Sequence, residues 1–135
     1  MTSGVIVRAS ALFAALAGLV LLFTPETAMA LLAPTLPAES LWIAQLLGAA
    51  WLGFASLNWH HRNRLLGGIY GRPIISANAL HWFVAAMTLL GADGRDAGSV
   101  ARTVLMIIIA AFAIGFVALL MKGPFRADLD AHGFP

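Results

Sequence analysis

The sequence predicts an all-α integral membrane protein, an antiparallel four-helix bundle with short loops, and three observations carry that expectation. Residues are 61% hydrophobic and 10% charged, with a mean hydropathy of +0.89, whereas soluble domains carry about 25% charged residues. The eight Lys or Arg and six Asp or Glu side chains all fall outside four windows: Ala9 to Pro25, Ser40 to His61, Pro73 to Ala92 and Thr103 to Met121. Each window approaches the about 20 residues that, rising about 1.5 Å apiece, cross a hydrocarbon core of roughly 30 Å. A single transmembrane domain over residues 1-135 accounts for the chain, with spans near 5-23, 37-59, 73-91 and 100-121 and a short cytoplasmic tail over 122-135. That leaves no room for a soluble catalytic domain.

Each element has its own local justification. The first span begins near Val5, with Arg8 snorkelling to headgroups. Arg8, the apolar run to Phe23 and Ala28-Met29-Ala30 imitate a cleaved secretory signal. The apolar stretch resumes at Leu31, so the segment is read as a retained span. Thr24-Pro25-Glu26 supplies an N-cap, an N1 proline and a first-turn acid, which start a short helix lying on the outer surface and closed by Pro34. Pro37 and Glu39 open the second span, which ends at the interfacial pair Trp59-His60. Gly67, Gly68 and Gly71 break the helix in a basic inner loop, and Pro73 opens the third span. Ala92-Asp93-Gly94 is a turn, Ser99 an N-cap for the fourth span, and Gly123-Pro124 its stop.

Charge sets the expected orientation. With the N-terminus cytoplasmic, inside segments carry Arg8, Arg62, Arg64, Arg72, Lys122 and Arg126, and outside loops only Arg95 and Arg102. The positive-inside rule then places both termini inside. The pI near 9.9 is accounted for by this bias and calls for no nucleic-acid partner. The absence of cysteine excludes thiol relays, thiolate metal sites and four-span reductases that work through a cysteine pair.

Lipid is as apolar as leucine, so such helices associate by close packing and polar contacts. Small-residue stripes serve that purpose: Ala11, Ala14, Ala15 and Gly18 in span 1; Ala49, Gly53 and Ser56 in span 2; Ala111, Gly115 and Ala118 in span 4. In span 3, Asn78, His81, Ala85 and Thr88 recur on one helical stripe that is expected to face the bundle interior, with Leu80, Phe83, Val84 and Met87 elsewhere. Gln45 shares a depth with Thr88, and Asn58 shares one with Asn78. These polar groups are either interhelical hydrogen bonds, the commoner use, or the lining of a ligand or transport path.

His81 also raises the question of a haem or chlorin ligand. His60 and His61 lie roughly 12 Å away in depth and cannot share one iron with it, so only a five-coordinate macrocycle on His81 beside Trp82 is open. Adjacent His60 and His61 diverge by about 100° and make a poor metal pair. With Arg62, Arg64 and Arg72 they form a basic, lipid-facing segment. No catalytic residue and no metal site is expected, and no Asp, Glu, Lys or Arg lies deep in a span, where an ion-coupled pump needs a buried charge.

From Pro25 through Leu90 the chain resembles small bacterial four-span proteins of DoxX-like layout. The matching residues are Thr24-Pro25-Glu26, the run Gln45-Leu46-Leu47-Gly48-Ala49-Ala50-Trp51-Leu52-Gly53 leading to Asn58-Trp59, and Asn78 with His81. The resemblance implies a four-helix layout in a bacterial inner membrane and carries no agreed activity. The resulting expectation is a non-enzymatic structural or accessory subunit without a cofactor, in contact with lipids and packing against itself or a membrane-protein partner. The alternatives are a small transport or ligand-binding protein using the span-3 stripe, or a single-histidine haem or chlorin carrier.

Overall fold

The computed structural model describes residues 3–63, 71–93 and 100–122. Within them the chain forms helices α1 (Ser3–Phe23), α2 (Pro25–Leu32), α3 (Leu41–His61), α4 (Gly71–Asp93) and α5 (Val100–Lys122), with a 3-10 turn at Ala38–Ser40 before α3. Four of the helical segments are long and apolar enough to cross a membrane, and the chain is a multi-pass, all-α membrane protein. Leu12, Leu16, Leu46, Leu80, Ile107 and Ile114 are exposed on its outer faces. A helix apolar on every side, at the surface of a bundle, is one solvated by hydrocarbon.

The expected boundaries shift by a turn or less. Pro37 caps the 3-10 turn, and the regular helix follows at Leu41. α4 is already helical at Gly71, so Pro73 stands inside the first turn, where its missing N–H has no helical acceptor in any case. Gly67, Gly68, Gly94, Ser99, the Gly123-Pro124 stop and the tail lie outside the described residues. Thr24 does stand at the N-cap of α2, with Pro25 and Glu26 behind it. Its hydroxyl turns back, donating to the Val20 carbonyl at 2.9 Å, so it finishes α1 rather than capping α2. α2 then packs on α3, α1 and α5 at that end of the bundle, burying Pro25 and Ala28.

Two intimate helix pairs make up the bundle, α1 with α3 and α4 with α5, joined along the α1/α5 and α3/α4 seams. Contacts run in opposite directions along α1 and α3: Gly4 meets Arg62 and Gly18 meets Gly48, while Leu22 meets Gln45. The pair is therefore antiparallel. Glycine decides how close it comes. A Cβ added to Gly18 would lie 2.9 Å from the Gly48 carbonyl oxygen, and one added to Gly48 would lie 2.8 Å from the Gly18 carbonyl oxygen. The two backbones touch, and no side chain can be inserted without separating them.

The three small-residue stripes have different fates. Ala11, Ala14 and Gly18 of α1 are buried against the bundle. On α5, Gly115 lies against Ile6, its added Cβ 3.4 Å away. On α3, Ala49, Gly53 and Ser56 all face outward, and nothing lies within 4 Å of a Cβ built on Gly53. The inward face of α3 is instead Ala44, Gly48, Trp51, Ala55 and Asn58.

Gly48→Ala is expected to destabilise the protein by about 1–3 kcal/mol through overpacking. Thermal or denaturant unfolding in detergent measures it. A melting temperature equal to that of the wild type would show that α1 and α3 are not held at backbone distance.

Candidate functional site

Asn58 and Asn78 sit opposite each other on α3 and α4, wholly buried, and hydrogen-bond reciprocally. Asn58 Nδ2 donates to Asn78 Oδ1 at 2.8 Å and Asn78 Nδ2 donates to Asn58 Oδ1 at 2.8 Å. The second proton of each amide is also used. Asn58 Nδ2 donates to Ser10 Oγ on α1 at 3.1 Å, and Asn78 Nδ2 donates to the Ile74 carbonyl at 2.9 Å. Ser10, likewise buried, passes its own proton to the Val7 carbonyl at 2.9 Å. This clasp ties three helices together with every amide and hydroxyl proton committed, which in a dry interior is the condition for a polar network to stabilise.

One turn further along α4, and two along α3, lies an aromatic cluster. Trp51 and Trp82 rings are 5.8 Å apart, and Phe13 and Phe112 pack on Trp82 at 6.0 and 5.2 Å. His81 joins from the rim, stacked on Phe54 at 4.2 Å and edge-on to Trp82 at 4.8 Å. Its Nε2 and the Nε1 atoms of Trp51 and Trp82 are buried without a hydrogen-bond partner. Outside His81, a shallow groove of about 560 Å³ follows the α3/α4 seam, lined by Phe54, Ala77, Leu80, His81, Val84 and Ala85.

The span-3 stripe does not face the interior as a unit. Asn78 is buried, His81 and Ala85 are half-buried at the seam, and Thr88 is exposed. The core face of α4 is Ile75, Ala79, Trp82 and Ala86, rotated by about 110° from the centre of that stripe at about 100° per residue. The Asn78 amide and the Trp82 ring, both wholly buried, together set the rotation of α4. Leu80, Phe83, Val84 and Met87 do point outward.

Of the two expected depth pairs, the structure brings Asn58 to Asn78 and leaves Gln45 and Thr88 apart. Gln45 Nε2 donates to the Leu22 carbonyl of α1 at 3.3 Å, and Thr88 donates to the Val84 carbonyl of its own helix at 2.9 Å. Neither lines a path with the other. Reading by depth alone missed Ser10, Phe13, Trp51 and Phe112. Ser10 had a usable signal, being the only polar residue between Arg8 and Thr24.

The surroundings of His81 Nε2 do not fit axial ligation of a porphyrin or chlorin through that atom in this arrangement. Axial ligation needs an open approach to a ring nitrogen, whereas Nε2 is enclosed and Phe54 covers one ring face. Among the described residues no three His, Cys, Asp or Glu side chains come close enough to hold a metal ion. His60 and His61 lie at the end of α3, their Nδ1 atoms 2.7 and 2.9 Å from the Ser56 and Leu57 carbonyls. Arg62 and Arg72 lie at the same end of the bundle, and Arg64 lies outside the described residues. Arg102, three residues into α5, is largely buried.

Comparison with protein-family models, with curated proteins and with solved structures finds no match for this chain.

The clasp predicts a non-additive mutant cycle. Asn58→Leu and Asn78→Leu should each cost about 1–2 kcal/mol, since each leaves a buried amide unpaired, and the double variant should cost less than their sum. Unfolding titrations of the four proteins in mixed micelles check this. Additive losses would mean that the two amides act separately.

Proposed function

We propose that this chain is a non-enzymatic structural or accessory membrane protein that assembles with a second copy or a membrane-protein partner through the outer face of α3. The observation that carries the reading is Gly53, exposed in mid-helix with nothing within 4 Å of an added Cβ. It is flanked by exposed Ala49 and Ser56. Glycine inside a helix costs about 1 kcal/mol relative to alanine, and the bundle recovers none of it by packing there. A backbone approach from another helix would, as Gly18 and Gly48 do within the bundle.

The commitment of the interior amides to one another supports a packing role over a transport path, since no donor of the clasp is left for a passing solute. The resemblance of the sequence from Pro25 to Leu90 to DoxX-like proteins supports a bacterial inner membrane. The distribution of Lys and Arg along the sequence supports cytoplasmic termini.

Gly53→Leu is expected to reduce the assembled species on a native gel or in light scattering severalfold while the melting temperature of the monomer stays put. Unchanged assembly would mean that this face meets only lipid. Orientation has a separate test. An impermeant thiol reagent applied to intact cells should label Ser99→Cys and spare Ala127→Cys; the reverse pattern rules out cytoplasmic termini, and labelling of both rules out an even number of spans.

A further inference from the structure

We propose that the corner where α1 begins and α3 ends is a binding site for the phosphate of an anionic phospholipid, gripped between Arg8 and Arg62. Both guanidinium groups are held in place by neighbours that neutralise no charge. Arg8 Nη2 donates to Asn63 Oδ1 at 2.7 Å across the α1/α3 pair. Arg62 lies over the Trp59 ring at 4.0 Å and donates through Nη1 to the Trp59 carbonyl. The first turn of α1 closes the corner, with Gly4 so near the Arg62 carbonyl oxygen that an added Cβ would lie 3.1 Å from it.

This arrangement differs from a merely basic surface in two respects. A free arginine loses much of its rotamer freedom when it binds, whereas these two are already ordered and still have most of their five N–H donors unused among the described residues. The described acids, Glu26, Glu39 and Asp93, belong to the opposite end of the bundle, so among the described residues no carboxylate competes for the forks. Trp59 is 42% exposed, an amphipathic ring suited to headgroup depth. A phosphodiester accepts from two guanidiniums at once, and its acyl chains can run along the exposed apolar faces of α1 and α3.

The test is native mass spectrometry of the full chain in detergent, titrated with phosphatidylglycerol, with phosphatidylcholine, and with phosphatidylglycerol in the presence of inorganic phosphate. One phosphatidylglycerol should be retained at least tenfold more tightly than phosphatidylcholine. Arg8→Gln and Arg62→Gln should each weaken retention about tenfold or more. Asn63→Ala, which preserves every charge and releases only the brace on Arg8, should weaken it about threefold. Arg72→Gln removes the same charge from the same end and should cost less than the about fivefold expected of one diffuse surface charge. Equal losses for all three arginine variants, or no loss for Asn63→Ala, would overturn the site in favour of a diffuse basic surface. Displacement by inorganic phosphate at matched concentration would overturn the lipid as its ligand.

Discussion

The reciprocal amide pair of Asn58 and Asn78 is the constraint to which the rest of the bundle is registered. In water a four-helix bundle is driven together by its apolar faces, but in hydrocarbon those faces gain little by meeting each other. What distinguishes one helix rotation from another is then the cost of leaving a polar group dry and unpaired. Two amides and a hydroxyl, all wholly buried, are satisfied together in one arrangement. That arrangement fixes α1, α3 and α4 at a common depth.

From that depth the other contacts follow by helical geometry. Two turns along α3 and one along α4 from the clasp, Trp51 and Trp82 meet, and Phe13 and Phe112 fill the space that α1 and α5 leave around them. Further along α1 and α3, the backbones of Gly18 and Gly48 touch. Helix α2 packs on α1, α3 and α5 at that end. His81 is drawn into the scheme as an aromatic ring stacked on Phe54, and its nitrogen contributes no interhelical bond among the described residues.

An interior closed in this way moves attention to the outside of the protein. Two outer features are not explained by packing within the chain: the glycine face of α3 and the braced arginines at the α1/α3 corner. The first lies on α3, the helix that also supplies Asn58 and Trp51, and the second sets the residue after α3 beside Arg8 of α1. The inward and outward faces of α3 are therefore specialised separately, small and polar residues serving different neighbours on the two sides.

The span count, approximate span limits, the short helix after Thr24 and the shared depth of Asn58 and Asn78 were legible in the sequence, because charge exclusion and proline placement act locally and depth follows from a constant rise per residue. Rotation about each helix axis was not legible. In a soluble helix the polar face announces the solvent side, but here apolar residues occupy both lipid and core faces, so periodicity carries little contrast. Only the tertiary structure therefore decided that Gly48 faces in while Gly53 faces out. The same holds for Asn78, which joins a clasp while Thr88 on the expected stripe turns outward, and for Ser10, the clasp's third member. Each of these depends on which helix stands beside which, and that is settled by the joint satisfaction of buried polar groups and the close fit of aromatic and glycine contacts between segments distant in the chain.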